Sequence, residues 1–353
     1  MAPSATSPTL PPTTTPANSY IPLIDFSPLV TGTPAEKLAT ANSILHAFET
    51  SGFLYLHSHP IPPAVLSSVF SHSAAFFARP QAQKDSLPWT SARANRGYTA
   101  QGREKVSSLT SKEEVDKLRE GSPDLKESIE IGREGDEGCP NRWPDFDGDE
   151  QGAEFKLVMQ EFFLKCKDLH CLVMRAIALA MGLDEDFFDS YTRTGDNTLR
   201  LLHYPAVSKS VFEQSNQQMR AGEHSDYGSI TLLFQDQRGG LQVMTPSGKF
   251  VNATPIEGTV VVNAGDLLMR WSNDLIKSTK HRVVEPPPVL KGEREEAQEQ
   301  FHPARYSVAY FCNPDFDRWI EALPGTWEGE KGGKKYEGIN SGEYLVQRLS
   351  ATY

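Results

Sequence analysis

Cysteine is scarce in this chain. Its 353 residues include four, at positions 139, 166, 171 and 312. They are too few and too irregularly spaced for a disulfide framework. No CxxC pair occurs, which excludes zinc ribbons and thioredoxin-like redox sites. No apolar run approaches the ~18 residues of a membrane-spanning helix. Basic charge is in deficit, with Lys+Arg 35 against Asp+Glu 46 and a net charge of −11. That balance argues against nucleic acid or an anionic membrane as partner. A GxSxG nucleophile elbow and a glycine-rich phosphate loop are both missing. The first 19 residues carry no charge and hold 13 Pro, Ser or Thr. They lack the basic start and apolar core of a signal peptide and the arginines of a mitochondrial leader. They read as a disordered tail, and the expected location is the cytoplasm. Ala351-Thr352-Tyr353 resembles no sorting signal.

What remains is a composition able to pack a core, with 38% hydrophobic and 23% charged residues. Ile21–Phe26 and Phe53–His57 read as strands. Between them, 34–51 has helical spacing, with Leu38, Ala41, Leu45 and Phe48 on one stripe. A second helix is expected over 62–78. From 111 to 150 the chain holds 14 acidic and 6 basic side chains, read as a solvated face of short helices and loops with one strand at 128–131. The strongest helical pattern is 153–181, where Phe155, Met159, Phe162, Cys166, Leu169, Val173, Ala176 and Ala180 recur at three- or four-residue steps before Gly182. Cys166 and Cys171, both on it, read as buried thiols. Beyond 195, short runs rich in β-branched and aromatic residues suggest a sandwich or barrel: 198–204, 230–234, 241–244, 259–262, 282–284 and 306–311. Gln235–Gly240 has the composition of a hairpin turn, and 285–304 that of an exposed loop. The expected segments are a tail (1–19), a mixed N-terminal region (20–150), a long supporting helix (151–197), a β-core (198–320) and a C-terminal tail (321–353) with one helix over 342–349.

The chemistry concentrates in the β-region. His224-Ser225-Asp226 on a strand would place two ligands on one face, about 6.5–7 Å apart at Cα. Alone the pattern is weak. His281, 55 residues after Asp226, opens another strand-like run. Two histidines and one carboxylate form the facial triad that suits Fe(II) and leaves positions open for a chelating cosubstrate and O2. Arg305 and Ser307 share a strand face and can clamp a carboxylate, and Tyr204 can donate a third hydrogen bond. His57 and His59 have the same spacing, but no third ligand is tied to them by pattern.

The order HxD, H, RxS, with Ile21-Pro22-Leu23-Ile24-Asp25, Gly52-Phe53-Leu54-Tyr55-Leu56 and Asn95-Arg96-Gly97-Tyr98, resembles the Fe(II)- and 2-oxoglutarate-dependent dioxygenases of the isopenicillin N synthase-like family. The likeness runs from about residue 20 to the C-terminus. Within that family Asp124–Ser128, Leu199–Pro205, Ala221–His224, Val261–Asp266 and Glu337–Gly342 are similar to fungal thymine 7-hydroxylases. The resemblance implies a mainly β protein with helices: a double-stranded β-helix (jelly-roll) core, N-terminal helices packed on one sheet, and one long supporting helix. It implies iron on His224, Asp226 and His281, and the distal carboxylate of 2-oxoglutarate on Arg305 and Ser307, with Tyr204 as a further donor.

It also implies oxidation of the methyl group of a small free pyrimidine, thymine, and repeated turnover to the aldehyde and acid. Arg200, Tyr227 and Phe311 would line the substrate pocket, with Arg96 a further candidate. The aromatic residues suit a planar base, and arginine suits its carbonyls. No protein partner is implied. Two departures mark the chain. Leu202 stands where plant relatives often carry asparagine, and the 24-residue gap from His281 to Arg305 is longer than usual. Two other functions use similar residues: a fungal secondary-metabolite oxygenase (hydroxylase, desaturase or cyclase), and a cupin-like metal- or ligand-binding protein without turnover. The arginine clamp counts against the second, because a bare metal site needs none.

Overall fold

The computed structural model describes residues 20–103, 124–213, 219–285, 301–329 and 332–352. The tail 1–19, the first part of the acidic run and most of loop 285–304 lie outside them. An eight-stranded sheet runs in the order Leu23–Asp25, Phe53–His57, Val260–Ala264, Ile230–Gln235, Arg305–Phe311, Thr198–Tyr204, Glu127–Gly132, Gly97–Thr99. All its pairs are antiparallel except the first. A four-stranded antiparallel sheet contains Phe250–Asn252, Leu241–Met244, His281–Val283 and Ala221–His224. Leu241, Val243, Ala221 and Val283 of the small sheet share one apolar cluster with Phe53, Tyr55, Leu202, Tyr204, Val261 and Ala309 of the large one. Two sheets closed over a common interior form the expected jelly-roll core.

Strand alternation decides what faces that interior. On Thr198–Tyr204, Leu199 and Leu201 join the outer, helix-covered core. Arg200, Leu202 and Tyr204 point the other way and line a cavity between the sheets. On Arg305–Phe311, Val308 and Tyr310 face the helices, while Arg305, Ser307, Ala309 and Phe311 line the cavity. The antiparallel register then sets Arg305 opposite Tyr204, Ser307 opposite Leu202 and Ala309 opposite Arg200.

The long helix Glu150–Ala180 covers the outer face with the predicted apolar stripe. Asp149 caps its first turn through a bond from Gly152 N at 2.8 Å, and Gly182 follows its end at φ +72°. Helix Pro34–Thr50 begins with a capping box between Thr33 and Glu36.

Four expectations change. Leu38 is 46% exposed; Ile44 and Ala47 complete the buried face of its helix instead. Cys171 is only partly buried, whereas Cys166 is fully so. Gln235–Gly240 is no hairpin, since Ile230–Gln235 and Leu241–Met244 belong to different sheets; the turn carries the chain across the sandwich. The acidic run is not all solvated. Strand Glu127–Gly132 is buried throughout, and Glu127 accepts from Lys84 at 2.8 Å and pairs with His203 at 2.7 Å. The strand expected at 128–131 is there, but its polar side is satisfied internally and not by solvent.

Candidate active site

His224 and His281 pair directly across the two strands of the small sheet. A register shift between His281 and Val283 lets Ala221 and His224, three residues apart, both face the cavity. Strand Ala221–His224 ends at the histidine, so Asp226 lies beyond it in the connecting loop and not on the expected strand face. Backbone bonds fix that loop: Asp266 N donates to Asp226 O at 2.8 Å and Gly265 N to Ser229 O at 2.8 Å. A Cβ on Gly265 would stand 2.4 Å from Gly228 O, so the approach of the two turns requires glycine.

Nε2 of His224 is 3.9 Å and Nε2 of His281 is 3.7 Å from Asp226 Oδ1. The opposite ring nitrogens face carbonyls, His224 Nδ1 at 2.7 Å from Gly222 O and His281 Nδ1 at 3.3 Å from Thr279 O. A proton on each Nδ1 leaves each Nε2 lone pair directed at the carboxylate side. Asp226 Oδ2 accepts from Thr231 Oγ1 at 2.6 Å and Asn263 Nδ2 at 2.7 Å, which turns Oδ1 toward the imidazoles. Burial, then His281, pushes His224 down to about 3. Burial works to raise Asp226, but His281 and His224, with the Asn263 and Thr231 donors, hold it below the usual carboxylate range. Among the described residues this is the one group of three whose ligand atoms lie within 4.8 Å of one another. Two imidazoles and a carboxylate fit a first-row divalent ion with open positions.

Arg305 sits deeper, 1% exposed. Nη1 donates to Ser307 Oγ at 3.2 Å and Nη2 to Gln235 Oε1 at 3.4 Å, both long bonds, and Nε has no partner among the described residues. Its guanidinium lies 4.9 Å from the centre of the Tyr204 ring. No carboxylate among the described residues pairs with it. A buried, under-satisfied arginine beside a hydroxyl fits an incoming carboxylate.

Toward the opening, Arg200 pairs with Glu130 at 2.7 Å and lies 5.3 Å from the centre of the Phe311 ring. Tyr227 has the Arg348 guanidinium of the C-terminal helix 4.4 Å from its ring centre, and Arg348 also reaches Asp266 at 3.0 Å. Leu345, Val346 and Leu349 of that helix, Ser341–Thr352, line the same cavity. All nine residues singled out for metal, cosubstrate and substrate line it, and so does Arg96. His57 and His59 do not.

Sequence reasoning missed Thr231, Asn263, Glu130 and Lys126, the last of which lines the cavity. The first two do carry a signal, each being a polar residue at an inward position of an otherwise apolar strand. Glu130 and Lys126 were hidden in the charge-rich run.

Residues 195–314 match the 2OG-Fe(II) oxygenase superfamily, and residues 21–146 match the non-haem dioxygenase in morphine synthesis N-terminal family. Among solved structures, a full-length Neurospora crassa protein in complex with alpha-KG and thymine is 58% identical, with a TM-score of 0.85 over 94% of this chain and 97% of that one. The same protein with alpha-KG and 5-formyluracil aligns at 55% identity and TM-score 0.82 over 94% and 96%. The 2-oxoglutarate-Fe(II) type oxidoreductase ppzD of Metarhizium rileyi is 34% identical over 94% of this chain and 90% of its own length. The proline hydroxylase buaE of Petromyces alliaceus is 33% identical over 94% and 98%.

Proposed function

The chain belongs to the 2OG-Fe(II) oxygenase superfamily, and on that premise we propose that it oxidises the methyl group of free thymine, and onward through the aldehyde to the acid. As a member it is a dioxygenase that uses Fe(II) and 2-oxoglutarate. In this reading His224, Asp226 and His281 hold the iron, Arg305 and Ser307 bind the distal carboxylate of the cosubstrate with Tyr204, and Arg200, Tyr227 and Phe311 shape the substrate pocket. The bound metal, with 2-oxoglutarate and O2, supplies the oxidation, releasing succinate and CO2 as one oxygen atom enters the substrate.

The protein's part is positioning and exclusion of water. Arg305 at the inner end fixes which way the dicarboxylate points. Glu130 orients Arg200, whose N–H groups can donate to a pyrimidine carbonyl. The Phe311 face offers a flat ring a stacking surface, and Tyr227 stands beside Asp226, where it can wall the reacting methyl group. The C-terminal helix shields the opening with Leu345, Val346 and Leu349. The observation that carries the thymine assignment is the 58% identity to the Neurospora crassa protein whose structure contains thymine. A secondary-metabolite substrate is the second reading, favoured by relatives such as ppzD and buaE, which stand at 34% and 33%.

Mass spectrometry of anaerobically loaded enzyme exposed to air with thymine, uracil or thymidine tests the proposal. Oxidised thymine with matching succinate supports it. Succinate formed without any oxidised thymine, alongside good turnover of another small molecule, removes thymine and keeps the family.

A further inference from the structure

Arg220 immediately precedes strand Ala221–His224 and is wholly buried, at 0% exposure. Its backbone N–H extends the small sheet by donating to Val283 O at 2.9 Å. Among the described residues its side chain makes one hydrogen bond, from Nη2 to Pro303 O at 3.0 Å, and Nε and Nη1 find no partner there. No carboxylate among the described residues forms an ion pair with it. Asp236, the acid whose field it feels, already accepts backbone N–H bonds from Tyr306 and Arg238 on its two oxygens. The guanidinium lies 6.0 Å from the centre of the Tyr204 ring, the same ring that has Arg305 at 4.9 Å. Burial and the charge of Arg305 push Arg220 down to about 10, which leaves it cationic at neutral pH.

Two buried guanidiniums therefore flank one tyrosine, and no acid among the described residues pairs with either. A buried charge left unpaired is costly, and two like charges near one another are worse. Such an arrangement is stabilised when something anionic enters it. Arg220 does not line the cavity, so it acts through space and through Tyr204 and not by contact.

We infer that Arg220 is a second cationic determinant of dicarboxylate binding, a positioning residue that sets the potential behind Arg305 and selects a 2-oxoacid carrying a distal carboxylate. This rests on the reading of Arg305 given above. In the empty enzyme the two arginines repel. The distal carboxylate answers both, so binding relieves a strain that a single arginine would not hold.

The test is calorimetric titration of manganese-loaded Arg220→Gln, Arg220→Lys and Arg305→Gln with 2-oxoglutarate and with 2-oxovalerate, which lacks the distal carboxylate. One unit charge at about 10 Å in an effective dielectric of about 20 changes affinity roughly tenfold. Arg220→Gln should weaken 2-oxoglutarate by that factor and leave 2-oxovalerate unchanged, and Arg220→Lys should recover most of the loss. The rise in melting temperature caused by 2-oxoglutarate should shrink in Arg220→Gln, without a fall in the ligand-free melting temperature beyond that of Arg220→Lys. Equal losses for both acids, or none for either, overturn the inference while Arg305→Gln still loses 2-oxoglutarate. If Arg305→Gln also binds normally, the cosubstrate assignment itself has failed.

Discussion

The two donors on Asp226 Oδ2 allow a worked test of how the metal site is held. Thr231→Val keeps the β-branched shape of its strand and removes one hydroxyl; Asn263→Ala removes the other donor. The lost bonds, at 2.6 and 2.7 Å, are short and made to an ionised oxygen. Hydrogen bonds to charged groups contribute about 1.5–3 kcal/mol each. Not all of that reaches metal affinity, because the free protein loses the bond as well. What reaches it is orientation: with Oδ2 released, the carboxylate can rotate and Oδ1 no longer points only at the two imidazoles. Partners of this kind typically alter metal affinity by about 10- to 100-fold. Each variant should therefore weaken Fe(II) or Mn(II) binding by roughly tenfold, and the pair by more than either. Because the two act on one oxygen, the double variant should depart from the product of the single effects. Anaerobic metal titration, with far-ultraviolet circular dichroism to confirm folding, provides the measurement. Unchanged affinity in both variants would show that Asp226 is oriented by something else, or that the metal does not sit there.

Three further outcomes follow from the buried charges. Arg305→Ala should weaken 2-oxoglutarate by about 2–5 kcal/mol while thymine binding changes little, read as a split between the two Michaelis constants. Glu130→Gln leaves Arg200 buried without its counter-charge, so the thymine requirement should rise at least about tenfold with the 2-oxoglutarate requirement nearly constant, and the fold should lose a few kcal/mol in urea unfolding. His170, fully buried, is pushed from 6.5 to about 3 by burial and then Lys167. Its folded value lies below its unfolded one, so the unfolded chain takes up the proton first. The stability it supports is complete above pH 6.5 and falls as pH drops through 6.5 toward 3, by about 1.4 kcal/mol per unit. Urea unfolding at pH 7, 6 and 5 should show a shallower loss in His170→Leu; equal slopes would contradict the account.

The elements that were legible in the sequence are those whose pattern is apolar and periodic. Glu150–Ala180 and Thr198–Tyr204 have little freedom in where their apolar residues can go. The ligand types were legible as well, since His224, Asp226 and His281 follow a spacing with chemical meaning. Two features of the site and one of the fold were not. Asp226 is aimed by Thr231 and Asn263 from two other strands, a relation that only register creates. Glu130 faces Arg200 because Glu127–Gly132 pairs with Thr198–Tyr204, whereas in the sequence it is one acid among many. The turn at Gln235–Gly240 was misjudged because local composition marks a reversal but not the sheet that receives the next strand.

Two kinds of buried charge coexist in this chain. Arg200 and Lys84 each meet an opposite charge within the protein, Glu130 and Glu127. They are complete before any ligand arrives, and they fix strands and side chains in place. Arg305 and Arg220 have no acid partner among the described residues; Arg305 lines the cavity and Arg220 lies behind it, on the other side of the Tyr204 ring contact. Desolvation acts on both kinds alike, so the unpaired ones mark where the fold has kept an unfavourable term. The first set serves as scaffold for the second. A rigid inner sheet lets two arginines remain close to one tyrosine without collapsing onto a surface acid, and the free energy held there is released only by a ligand carrying the right charge at the right depth. Selectivity for a dicarboxylate 2-oxoacid then follows from what the protein leaves unpaired as much as from what it contacts.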